Sequence, residues 1–136
     1  MSQKLLPIGI SDFKIMIEDN YYYVDKTLLI KDVLNSGQIV LVPRPRRFGK
    51  TLNLSMLRYF FEASEQNNAH LFEGTEIGSH SHYRALQGQF PVIFITFKNI
   101  KELTWNVTYE KFAYTIYEEF DRHKALIFND SLEGLP

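Results

Sequence analysis

The segment Arg44-Pro45-Arg46-Arg47-Phe48-Gly49-Lys50-Thr51 gathers the residue types that can hold a phosphate. It closes on Gly-Lys-Thr, the end of the phosphate-loop pattern G-x-x-x-x-G-K-[ST], with Arg44 where that pattern has its first glycine. Gly49 has no Cβ, so it can enter a turn closed to other residues and let backbone N–H groups approach an anion. Lys50 would bring a point charge to the β/γ-phosphates. The Thr51 hydroxyl is the kind of ligand a Mg²⁺ ion takes beside phosphate oxygens. Arg46 and Arg47 add charge to the same turn. Arg44, Arg46, Arg47 and Lys50 are four of the fifteen basic residues, so a near-neutral chain carries one locally positive site. Gly-Lys-Thr alone is a short string, and an Arg-rich turn also suits a plain solvated loop. The flanking elements must decide between the two.

A phosphate loop works between a strand and the start of a helix, whose positive dipole end faces the anion. Residues 38–43 have the composition of that strand, because Ile39-Val40-Leu41-Val42 is continuously apolar, as expected of a strand covered on both faces. Residues 50–62 read as a helix that is apolar nearly all round, hence mostly buried. Pro91 to Phe97 reads as a second strand, and 105–123 as a helix with Val107, Phe112, Ile116 and Phe120 at helical spacing. Earlier in the chain, Ser11 is placed to cap a short helix carrying Phe13, Met16 and Ile17. Tyr21 to Val24 has strand composition. Asp25 can cap a helix running to Asn35, with Gly37 as its stop. Leu71 and Phe72 are expected to tuck back onto the core, and 80–86 to form a short helix ending at Gly88. Strand, crossover helix and strand make a βαβ unit. The expected fold is therefore α/β, a parallel sheet core flanked by helices. The expected organisation is 1–37 as linker helices, 38–123 as the phosphate-loop unit and 124–136 as a tail.

Composition narrows the function. The chain has 136 residues, 45% hydrophobic and 23% charged, which suits one ordinary globular domain. Fifteen basic residues against sixteen acidic ones give a net charge of -1, against a protein that mainly coats nucleic acid or anionic lipid. With no cysteine there is no disulfide scaffold, thiolate metal site or cysteine nucleophile. No apolar run approaches the roughly 20 residues that span a bilayer, and MSQKLLPIGI is too short in apolar residues for a signal peptide, so a cytoplasmic location is expected. His70, His80 and His82 have no acid or cysteine arranged with them and read as surface residues. Asp12, Glu18 and Asp19 read as the solvated side of a helix, and Trp105 with Phe112 as core. Tyrosine-rich and arginine-rich segments together could stack and pair with single-stranded nucleic acid, but the net acidity argues against that as the main task.

Several motifs occur in an order that resembles the AAA-ATPase-like family of predicted bacterial ATPases. They are Leu6-Pro7-Ile8-Gly9-Ile10-Ser11-Asp12-Phe13, Tyr22-Tyr23-Val24-Asp25-Lys26-Thr27 and Arg44 through Asn53, continued by Phe60-Phe61, Leu71-Phe72-Glu73-Gly74 and Phe90-Pro91-Val92-Ile93-Phe94. The likeness covers roughly residues 5–120. It implies a P-loop NTPase core that binds ATP with Mg²⁺, and often a downstream nuclease-like domain of the PD-(D/E)xK type. An arginine for the first loop glycine is normal in that family. Carried over, Gly49, Lys50 and Thr51 are the phosphate residues, Thr51 the metal ligand, and Arg46, Arg47, Phe48 and Leu52 the remaining nucleotide contacts. The family's Walker B strand, an apolar run ending in Asp-Glu, has no counterpart here. Tyr22 to Asp25 precedes the loop, Val92 to Phe97 is followed by Lys98, and Ala125 to Asp130 lacks the following Glu. The acid that supports Mg²⁺ and the group that orients the attacking water are thus not assigned. The reading is nucleotide binding by the N-terminal part, or a shortened form, of such an ATPase, with hydrolysis left unassigned. The alternative is a non-catalytic module that binds a partner protein, a second copy or the missing part of its own fold.

Overall fold

The computed structural model describes residues 4–98 and 100–124. The chain forms two compact units, Met1–Val92 and Ile93–Pro136. Among the described residues the first holds four helices: α1 (Phe13–Glu18), α2 (Leu29–Asn35), α3 (Lys50–Phe61) and α4 (Ser81–Arg84), with 3-10 turns at Ala69–Phe72 and Ile77–Ser79. The second holds α5 (Trp105–Arg122).

The expected α/β fold does not form. Among the described residues there is no β-strand and no parallel sheet, only isolated parallel bridges at Leu5–Tyr21 and Glu62–Phe90. The apolar runs read as strands are extended but not laddered. Ile39 is 91% exposed and Leu41 85%, and Ile93 is 73% exposed. A strand is stabilised by cross-strand neighbours rather than by an intrinsic backbone preference. Apolar composition marks a segment that would suit a sheet; it does not supply the neighbour.

The core of the first unit lies between α1, α3 and the turn at Ala69–Phe72. Phe13, Ile30, Met56, Phe60, Leu71, Phe72 and Ile77 form one buried cluster. Phe13 stacks on Phe72 at 5.2 Å, and Phe60 meets Phe72 edge-on at 5.1 Å. Each such ring contributes roughly 1.5–3 kcal/mol by burial. Leu71 and Phe72 thus pack as their composition predicts. α3 follows its predicted span to within one residue, yet only Ser55, Met56 and Phe60 are fully buried, and Leu54 is half exposed.

Two polar devices fasten α1 to α3. The Phe13 amide donates to Ser55 Oγ at 2.9 Å, and the Tyr59 hydroxyl donates to Asp12 Oδ2 at 2.9 Å. Asp12, not Ser11, caps α1, its Oδ1 accepting from the Ile15 amide at 3.1 Å. Asp25 does not cap α2, which starts at Leu29 without a side-chain cap. Its carboxylate accepts from the Thr27 amide at 2.8 Å and the Glu76 amide at 2.7 Å. Fully buried Thr27 accepts from the Ile77 amide at 3.1 Å. The Asp-Lys-Thr motif is therefore a clamp on the 72–79 turn. Gly78 belongs to that turn for a steric reason: a Cβ there would lie 2.1 Å from the Phe72 carbonyl oxygen.

In the second unit the Phe94 amide donates to Glu119 Oε1 at 2.7 Å, and Phe97 stacks on Phe112 at 5.6 Å. α5 buries no residue fully; Trp105 is 75% exposed and Phe112 43%, so neither is the core residue that helical spacing predicts. Among the described residues no helix is long and apolar enough to cross a membrane.

Candidate functional site

The loop entering α3 is exposed from Pro43 to Phe48, and Gly49 is half-buried. Gly49 is the helix N-cap and adopts the left-handed conformation (φ 74°, ψ 21°) that glycine enters without steric cost. Arg47 is also left-handed at φ 68°, uncommon for a residue with a Cβ. Arg44 has no positive φ, so its backbone needs no glycine there. The mismatch with the phosphate-loop pattern at this position thus carries no backbone strain.

Lys50 turns back across the loop and donates from Nζ to the Arg44 carbonyl oxygen at 2.8 Å. That bond closes residues 44–50 into a ring and uses one of three ammonium donors. The start of α3 has no side-chain cap and no acidic residue in its first turn. No described residue accepts a hydrogen bond from the amides of residues 46–52. The first N–H groups of a helix have no partner within it, and here neither a cap nor a neighbouring loop supplies one. The guanidinium groups of Arg44, Arg46 and Arg47 make no ion pair with a described acid. The Thr51 hydroxyl likewise makes no hydrogen bond to a described residue. Amides with no described acceptor, three guanidinium groups, an ammonium and the Thr51 hydroxyl on one short exposed stretch form a set of donors that suits a polyanion.

Of this set only the Thr51 hydroxyl oxygen can ligate Mg²⁺. No group of three or more His, Asp or Glu side chains that could hold a metal occurs among the described residues. Thr51 offers one hydroxyl. That fits a cation that keeps most of its waters and binds mainly through phosphate oxygens, not one held in a protein cage.

The structure brings Arg46, Arg47, Phe48, Gly49, Lys50, Thr51 and Leu52 into one loop and helix start, as adjacency in sequence requires. It adds no acid to them. The Ala125 to Asp130 run lies outside the described residues. Tyr23 and Asp25 belong to the core and the clamp: Tyr23 donates to Met56 Sδ at 3.6 Å, and burial raises its phenol above the usual range. Burial also works against the Asp25 carboxylate, but the Thr27 and Glu76 amides outweigh it and hold the group below its ordinary value. Burial and the Asp12 carboxylate push the Tyr59 phenol up to about 12, so it acts as a fixed donor. His70, His80 and His82 are exposed; His70 pairs with Glu18 at 3.0 Å. The Asp25 clamp is what reading the sequence missed, since its partner amide lies 51 residues away.

The model of the family described as Predicted AAA-ATPase matches residues 7–131. The chain belongs to the AAA-ATPase-like family. It is also 45% identical over 78 residues to a protein from Azotobacter chroococcum mcd 1 described as "Uncharacterized protein in vnfD 5'region". That match takes in 57% of this chain and 14% of the relative's length. No solved structure matches the chain.

Proposed function

We infer that this AAA-ATPase-like chain binds the phosphates of ATP at the loop of residues 44–51, with Mg²⁺ at the Thr51 hydroxyl. The observation that supports it is the bare start of α3, where the amides of residues 46–52 have no protein acceptor and Lys50 bends over them to the Arg44 carbonyl. A polyanion would take those amides, while the remaining donors of Lys50 and the guanidinium groups of Arg46 and Arg47 neutralise its charge. Phe48 and Leu52 flank the anion. Membership of a family described as Predicted AAA-ATPase supports ATP as the nucleotide.

Titration of the chain with Mg-ATP tests this. At a hundredfold excess over Kd the nucleotide stabilises the fold by about 2.7 kcal/mol, a melting shift of several degrees. The Lys50→Ala variant loses that shift. A shift of the same size in Lys50→Ala, or none in the unaltered chain, overturns the assignment.

A second reading, a protein-interaction module without nucleotide chemistry, is favoured by the exposure of Ile39 and Leu41. It predicts a melting temperature indifferent to Mg-ATP and a chain that self-associates in solution.

A further inference from the structure

A cleft of about 420 Å³ lies at the opposite end of α3 from the arginine loop, some 14 Å along the helix axis from Lys50 to Tyr59 at 1.5 Å per residue. Its walls come from the end of α3, from residues 64–69 and from residues 84–89. Within those walls the buried side-chain atoms Asn68 Oδ1 and Gln87 Nε2 have no hydrogen-bond partner among the described residues. Asn68 is only 8% exposed. Leaving such atoms unpaired costs roughly 1–3 kcal/mol each, and native chains rarely keep them without a use. Neither side-chain amide makes a hydrogen bond to a described residue, so a ligand in the cleft would displace no protein hydrogen bond from either.

The pair differs in kind. One is an acceptor, the other a donor. A ligand answering both must bring an N–H and a C=O together. The charges on the rim sort the candidates further. The Glu62 and Glu65 carboxylates disfavour an anion, while Arg84 on the rim and Arg58, which pairs with Glu62 at 3.0 Å, disfavour a cation. An apolar ligand would leave both amides unpaired. The peptide group meets every condition: it is neutral and carries the donor and the acceptor side by side. Gln66, Asn67 and Gln89 line the same walls with further amides.

We propose that this cleft binds a short neutral peptide segment through its backbone amides, with Asn68 accepting from a peptide N–H and Gln87 donating to a peptide carbonyl. The site is separate from the arginine loop and does not depend on what that loop holds.

The test is a titration of the isotope-labelled chain, followed by amide NMR, with triglycine blocked at both ends as the probe. Saturable shifts are expected in the side-chain amides of Asn68 and Gln87 and in the backbone of residues 64–69 and 84–89. Gln87→Leu weakens the apparent affinity at least tenfold with an unchanged circular dichroism spectrum. Asn68→Leu does the same; if it fails to fold, half-buried Gln87 carries the test alone. Maltose, rich in hydroxyls, and N-acetylglycine, an anion, leave the cleft resonances unmoved. Lys50→Ala responds to the peptide as the unaltered chain does, so loss of nucleotide binding and loss of peptide binding are read separately. No saturable shift with the peptide, equal shifts with maltose, or an unchanged response in Gln87→Leu overturns the proposal.

Discussion

The two ends of α3 are built in opposite ways. At its C-terminal end the free carbonyls are taken up: Gly88 donates to Phe60 and Phe90 to Phe61, while Ala63 donates back to Phe90, all within 2.8–2.9 Å. The Phe61 ring meets Phe90 edge-on at 5.9 Å. At the N-terminal end nothing caps the amides, two residues are left-handed, and the side chains are exposed and cationic. One end is satisfied by the chain itself; at the other no described residue accepts from the amides. A helix end left without partners is normally repaired by a cap. Where it is not, and positive charge collects beside it, an anion is well suited to that end, which is the basis of the nucleotide proposal.

That contrast can be broken or sharpened by substitution. The largest effect belongs to the packed end. Phe60→Ala, which removes the fully buried ring packed edge-on against Phe61 and Phe72, destabilises the chain by about 3–5 kcal/mol in urea unfolding. A loss below 1 kcal/mol would show that the cluster does not carry the fold. Next comes the clamp: Thr27→Val keeps the shape but strands the Ile77 amide, costing about 1–3 kcal/mol by the same measurement.

Acid acts on the neighbouring carboxylate. The Asp25 group is held below its ordinary value, so its bonds contribute fully above about pH 3.9, the value of an unfolded aspartate. That contribution fades as pH falls through the lower folded value. In Asp25→Asn the stability difference from the unaltered chain is therefore largest near neutrality and shrinks in acid. Stability curves at pH 7 and pH 3 check the sign. The smallest effect is at the bare end. Lys50→Ala removes one exposed hydrogen bond and changes the unfolding free energy by less than about 0.5 kcal/mol, even though it abolishes the nucleotide response. A large stability loss there would mean that the loop serves the fold and not a ligand.

Local signals were legible in the sequence and non-local ones were not. α3 shows as a run apolar nearly all round and α5 as apolar periodicity, and both helices form close to their predicted bounds. Gly49 as the turn residue follows from its lack of a Cβ. The sheet was illegible because Ile39 to Val42 would read the same with or without a strand beside it. Burial along α5 failed for a related reason: periodicity names a face but not what covers it. The polar fastenings escaped because they join residues 42 to 51 positions apart, such as Phe13 with Ser55 and Asp25 with Glu76.

Lys50 docks on the main-chain oxygen of Arg44, an atom that every amino acid carries. The backbone at that position also has a conformation open to any side chain. The backbone at position 44 therefore does not require glycine, whereas position 49 is left-handed. A sequence filter that insists on glycine at the head of the loop would discard this chain for a letter its geometry never uses.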